Sequence, residues 1–253
     1  MNSYEFFIGL RYTRSRQRTR FISVISLISV VGIALGMTVL ITVPSVMNGF
    51  QKEVRTRMLS AVAHVQIAGQ GERLTDWKAV ADIARKHPRV KAASPYINAQ
   101  GLLTSGSQVK GTFLRGVEPE LEAQVDDLSR SMSRGTMAAL KPGDFSIVLG
   151  DTLARALGVS IGDKVVLVAP QGQVTPAGVL PRLRQFTVVG TFLIGHHEID
   201  AGLALLHIED AQRLYRMGDD VTGVRLKLDD LFNARLVSHE LAGKLPANAM
   251  VSD

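Results

Sequence analysis

From Phe21 to Gln51 the chain runs for 31 residues without a charged side chain, and the run is rich in Ile, Val and Leu. About 18 to 20 apolar residues already suffice to cross a bilayer as a helix, the one single-segment structure that pairs its own backbone N–H and C=O groups away from water. As a helix the run would reach about 46 Å, against an apolar bilayer core of about 30 Å. Its far end is therefore expected to rise above the membrane. A cleaved signal peptide fits less well, because its apolar region is only about 7 to 15 residues long and ends at a small-residue cleavage site.

Charge sets the expected orientation. Arg11, Arg14, Arg16, Arg18 and Arg20 precede the run with Glu5 as the only acid, whereas Lys52, Arg55 and Arg57 follow it. The excess of arginine on the first side places the amino terminus in the cytoplasm. The 233 residues after Arg20 hold 24 basic and 22 acidic side chains, so the overall net charge of +6 is not the footprint of a nucleic-acid-binding surface. With no cysteine in the chain, disulfides and thiolate metal sites are excluded.

Two features make the apolar run more than an anchor. Gly32 and Gly36 form a small-xxx-small pair, extended by Ser26 and Ser29, that permits close approach of another helix. Pro44 lies near the outer end, where it would kink the helix or mark its exit from the bilayer. Ahead of the run, Tyr4 to Tyr12 has the aromatic and arginine content of a short interfacial helix.

After Phe50 the pattern changes to short elements separated by Gly and Pro, as in a mixed α/β domain, so the fold class expected for the chain is α+β. Thr75 is placed to cap a helix over 76–86 whose Trp77, Val80, Ala81 and Ala84 share one face. Strands are expected near 90–101, 101–105, 109–117, 145–149, 164–169, 185–194, 203–207 and 221–228. Helices are expected over 151–157, with Gly158 at the end, over 210–217, and over 229–243 with Leu231, Ala234, Leu236, Val237 and Leu241 inward.

The fifteen residues Pro170 to Arg184 form the least regular stretch. Connections of that length are usually functional or disordered. Pro170, Pro176 and Pro181 stiffen it and so lower the entropy lost on binding a partner. No acid occurs from Lys164 to His197, which leaves Arg182 and Arg184 without a local counter-charge and suited to an acidic surface.

Catalytic motifs are missing: there is no G-x-x-x-x-G-K-[ST], no G-x-S-x-G and no H-E-x-x-H. His196, His197, Glu198 and Asp200 form the one metal-like cluster, but adjacent side chains on a strand point to opposite faces, so at most one histidine and Glu198 would converge. No catalytic residue, metal site or cofactor is assigned.

Several segments together resemble the lipoprotein-releasing ABC permeases of the LolC/LolE type, within the wider MacB-like permeases. They are Phe7 to Tyr12, Ile25 to Gly36, Val46 to Glu53, Ala93 to Ile97, Ile147 to Gly150, Leu157 to Asp163 and Val188 to Phe192. The resemblance implies residues 1–20 as a cytoplasmic and interfacial segment, 21–50 as the transmembrane helix, and 51–253 as a periplasmic MacB-like domain of two α/β subdomains carrying loop 170–184. It also implies a permease subunit in the bacterial inner membrane that extracts lipoproteins and passes them to a periplasmic carrier of the LolA type.

A separate LolD-like subunit would hydrolyse ATP, and a second permease subunit would complete a homodimer or heterodimer. In LolC-type members a proline-bearing hairpin grips the carrier, a role that falls here on Pro170, Thr175, Pro176, Gly178, Pro181, Arg182 and Arg184. Leu40, Val43, Met47 and Phe50 would line a cavity for acyl chains. Around Trp77 and 93–101 the chain looks more like the LolE type, which lacks the hairpin. Family members continue into three further transmembrane helices, so the resemblance covers their amino-terminal part. The rival readings are another MacB-like export or signalling permease, and a single-pass sensor or scaffold.

Overall fold

The computed structural model describes residues 20–60, 65–175, 178–246 and 248–252, together with Tyr4, Ile8 and Arg11. The chain divides into two compact units, Met1–Arg57 and Met58–Asp253.

In the first unit, Tyr4, Ile8 and Arg11 are helical, and the rest of the expected interfacial segment lies outside the described residues. Helix α1 runs from Arg20 to Ser60, ten residues past the expected end. Its segment Leu27–Met47 is long and apolar enough to cross a membrane. Within it the hydroxyls of Ser29, Thr38 and Ser45 are satisfied locally, donating to the carbonyls of Ile25, Ala34 and Ile41 at 2.9, 2.7 and 2.7 Å. Pro44 lies inside α1. It removes one N–H from the ladder, and the helix continues beyond it rather than ending there.

Among its described residues the second unit has ten strands: β1 (Val65–Gly69), β2 (Val90–Ser105), β3 (Gln108–Val117), β4 (Met132–Gly135), β5 (Ser146–Gly150), β6 (Lys164–Thr175), β7 (Gly178–Phe192), β8 (Leu203–His207), β9 (Gly223–Leu228) and β10 (Ala249–Ser252). They form one mixed sheet in the order β10-β1-β9-β2-β3-β8-β5-β7-β4, with β6 bridging β2 and β7. β3 with β8 and β5 with β7 are parallel. The helices described beside the sheet are α2 (Trp77–Arg85), α3 (Pro119–Val125), α4 (Asp151–Leu157), α5 (His197–Gly202), α6 (Ile208–Tyr215) and α7 (Ala234–Ala242). The chain is α+β, as its alternation of short apolar segments with Gly and Pro implied.

Side-chain alternation along each strand sends neighbours to opposite faces, and the apolar residues collect into two clusters. The larger joins Ile97, Leu114, Ile147, Leu149 and Phe186 of the sheet to α2, α4, α6 and α7. The smaller gathers Val117, Val148, Phe192 and Leu205 with Leu128, Met137 and Leu140 on the other face. β5 is therefore buried on both sides, which accounts for its unbroken apolar run.

Several local expectations change. β2 is one strand through Gly101. A Cβ there would lie 2.8 Å from Leu167 Cδ1 and 3.0 Å from the Val168 carbonyl oxygen, so this glycine admits β6 beside β2 and does not break the strand. The residue flanking α2 is Asp76, at φ 52°, and it makes no side-chain cap, so Thr75 does not fill that role. The last expected helix is a 3₁₀ turn, Leu231–Asn233, followed by α7. Val237 and Leu241 are buried, whereas Leu236 is 49% exposed.

Candidate functional site

The stretch expected to be an irregular fifteen-residue connection is mostly paired. β6 continues to Thr175 and β7 begins at Gly178, with Gln173 opposite Leu180, Val174 opposite Val179 and Thr175 opposite Gly178. β2 accompanies β6 only at Val166 to Val168, and β5 joins β7 only from Thr187. Among the described residues, the outer part of this hairpin is thus a two-stranded ribbon beyond the edge of the sheet.

Proline and sheet pairing coexist here because the ladder is interrupted where the prolines sit. Between Ala169, opposite Arg182, and Gln173, opposite Leu180, the register shifts. Pro170 and Pro181 both fall in this gap, where no ladder N–H is required of them. Both are exposed. Gly178 closes the ribbon opposite Thr175, and Pro176 lies outside the described residues.

The two arginines of the ribbon base have different surroundings. Alternation along β7 puts Arg182 and Arg184 on the face of Phe186 and Val188, the face that carries the larger cluster. Half-buried Arg182 donates from Nη1 to the Leu214 carbonyl at 3.1 Å, near the carboxyl end of α6. A helix end leaves such carbonyls without intrahelical partners and carries partial negative charge, so a guanidinium suits it. Arg184 is exposed, and its guanidinium carbon lies 3.7 Å from the centre of the Phe145 ring. Proline and arginine composition alone could not reveal either contact.

Beside the ribbon base a cleft of about 560 Å³ is lined by Pro170, Gln100, Phe113, Arg115 and Tyr215, among others. Arg115 also belongs to a charged network on the less covered face. Arg225 pairs with Glu122 at 2.8 Å and with Asp126, while Arg115 lies 3.8 Å from Asp126. Ser94 donates to Glu122 at 3.0 Å. Burial and the neighbouring Arg225 charge bring Arg115 down to about 10. For Arg225 burial acts in the same direction, but the Glu122 and Asp126 carboxylates outweigh it and raise its pKa.

The remaining expected site residues have simpler settings. On α1, Leu40, Val43 and Met47 are 69, 61 and 54% exposed. Phe50 is helical, with a side chain outside the described residues. A Cβ at Gly32 or Gly36 would meet nothing within 4 Å, so either position is open to a neighbouring helix.

His197 begins α5, and His196 is the extended residue that flanks it. Asp200 is buried and accepts the N–H groups of Ile194 and Gly195, both at 2.9 Å, so it organises the turn before α5. Among the described residues no group of three His, Asp or Glu side chains is arranged to hold a metal ion.

Comparison with known proteins agrees with this architecture. The chain is 46% identical over 246 residues to the lipoprotein-releasing system transmembrane protein LolC of Xylella fastidiosa, a match covering 97% of this chain and 59% of that protein. It is 44% identical over 250 residues to the protein of the same name from Neisseria meningitidis serogroup B, covering 99% and 60%. It is 32% identical over 247 residues to LolE of Haemophilus influenzae, covering 95% and 59%. The LolC/LolE resemblance in its motifs thus extends along nearly the whole chain, which spans about three fifths of the length of these relatives.

The crystal structure of the periplasmic region of MacB from Actinobacillus actinomycetemcomitans superposes with a TM-score of 0.50 at 13% identity, over 75% of this chain and 87% of that one. The fold is shared despite low identity. Residues 26–243 match the model of the MacB-like periplasmic core domain, and the chain belongs to that family, as a membrane protein with one amino-terminal apolar helix.

Proposed function

We propose that this chain is the amino-terminal part of a permease subunit that releases lipoproteins from the bacterial inner membrane and passes them to a soluble periplasmic carrier. The observation that carries this reading is the proline-bearing β6–β7 ribbon, in a chain 46% identical to a LolC protein. A ribbon that stands beyond the sheet, with prolines at its base, loses little entropy on docking and offers backbone groups at its edges.

In this reading the amino terminus is cytoplasmic, by the arginine excess ahead of α1, and the Met58–Asp253 unit is periplasmic. Leu40, Val43, Met47 and Phe50 face acyl chains, each buried methylene contributing about 0.8 kcal/mol. Gly32 and Gly36 seat a neighbouring transmembrane helix. A separate ATP-binding subunit supplies energy, and a second permease subunit completes the assembly.

Photocrosslinking from the complete subunit in cells tests the assignment. A photoreactive residue at Val174 in the ribbon should trap the lipoprotein carrier, whereas one at Phe232, 81% exposed beside α7, should not. Absence of carrier from the Val174 adduct would turn the assignment towards an exporter or sensor.

A further inference from the structure

Phe145 occupies a backbone conformation that a large side chain rarely adopts. Its φ is +49°, in the left-handed region that favours glycine, and such outliers persist only where surrounding groups hold them. The holding group is Asp210 at the start of α6, which is fully buried. Its two carboxylate oxygens accept the backbone N–H groups of Gly143 at 2.9 Å and Phe145 at 3.2 Å. The ring is fixed as well, by an edge-on contact with Phe186 at 5.7 Å between centroids and 77° between planes.

Arg184 lies over this ring at 3.7 Å. A guanidinium packed on an aromatic ring is attracted by the ring's quadrupole, while the N–H groups at its edge stay free to donate. Arg184 is exposed, and among the described residues its guanidinium donates no hydrogen bond. The arrangement is a cation held in place with its forked donors uncommitted, at the base of the ribbon.

We propose that Phe145, locked by Asp210, is a positioning residue that presents Arg184 to a carboxylate side chain of the protein docking on the ribbon. The inference rests on the docking function proposed above and adds the chemistry of the contact, a bidentate arginine–carboxylate pair. Planarity is essential to it: a lysine keeps the charge but neither packs flat on the ring nor offers two parallel donors.

The test uses the full chain in lipid nanodiscs and the soluble lipoprotein carrier as probe, with Phe145→Leu, Phe145→Tyr, Arg184→Lys and Arg184→Ala. Arginine-selective ¹⁵N spectra first report whether the Arg184 Nε–H signal carries a ring-current shift that Phe145→Leu abolishes and Phe145→Tyr keeps. Carrier affinity should then fall about 3- to 10-fold in Phe145→Leu, Arg184→Lys and Arg184→Ala alike, recover in Phe145→Tyr, and fall no further in the Phe145→Leu/Arg184→Ala double variant.

Wild-type affinity in Phe145→Leu, with Arg184→Ala weakened, would overturn the positioning role while leaving the docking function intact. Wild-type affinity in the exposed Arg184→Lys variant would overturn the bidentate contact even if Phe145→Leu failed to fold. No carrier binding by the wild-type chain would overturn the docking function and with it the assignment of the partner.

Discussion

Arg182 and Leu214 are joined by a hydrogen bond of 3.1 Å from the guanidinium to the main-chain carbonyl, which ties the base of the β6–β7 ribbon to the carboxyl end of α6. Among the described residues β2 accompanies β6 only as far as Val168, so this bond ties the ribbon base to α6, while the Arg184–Phe145 contact ties it to the residue ahead of β5. Arg182→Ala should therefore loosen the ribbon without opening the core, at a cost of about 1 kcal/mol for one partly exposed charged hydrogen bond. Hydrogen exchange checks this: amides in 170–184 should exchange faster in the variant, and those of β5 should not change.

Arg225 answers two carboxylates with one guanidinium, Nη1 to Glu122 and Nη2 to Asp126, and all three side chains are buried. Arg225→Met would leave both acids without their main counter-charge. Breaking a buried pair by removing one partner costs about 3 to 5 kcal/mol. Urea titration should show a loss of that order, and Arg225→Lys should recover only part of it, because one ammonium cannot reproduce the fork.

Gly101→Val tests the reading of β2 as one strand. The new side chain would meet Leu167 and the Val168 backbone on β6, and overpacking of this kind typically costs about 1 to 3 kcal/mol. Thermal unfolding should report the loss. An unchanged Tm would mean that β6 does not lie against β2 at this point.

Asp210 gives the fold a pH dependence of unusual sign. Burial raises its pKa above the ordinary 3.8, although the N–H groups of Gly143 and Phe145 and the nearby charges of His207 and Arg213 act in the opposite direction. A carboxyl raised on folding contributes stability that is fully present below 3.8 and is lost as pH rises through its folded value. Asp210→Asn removes this titration but turns an amide donor towards one of the two N–H groups, an offset of about 1 to 3 kcal/mol. The stability advantage of wild type over the variant should thus be largest in acid and shrink with rising pH, as measured by denaturation across that range.

Where local chemistry decides, the sequence was a good guide. Asp151–Leu157 ends in Gly158 at φ +68°, and Leu203–His207 is an apolar run that becomes a buried strand. Pairing between distant segments was less visible. Gly101 resembles a break because its reason for being glycine, the approach of Leu167 and Val168, lies on another strand. Pro170 and Pro181 suppressed a strand reading of the ribbon because the register shift that accommodates them exists only once β6 and β7 are aligned. Leu236 fitted a helical apolar stripe, yet the helix is shorter than its periodic pattern and only Val237 and Leu241 are buried in it. In the candidate site, the arginines were identifiable as unmatched charges, but Leu214 and Phe145 as their partners were not.

The most direct test of the account is the affinity of the chain, in nanodiscs, for the cognate lipoprotein carrier, compared with that of a Pro176→Ala/Arg184→Ala variant. The account predicts measurable binding by wild type and a loss of about tenfold or more in the variant, equivalent to about 1.4 kcal/mol. Equal affinity in the two, or no binding by a folded wild-type chain, would contradict it.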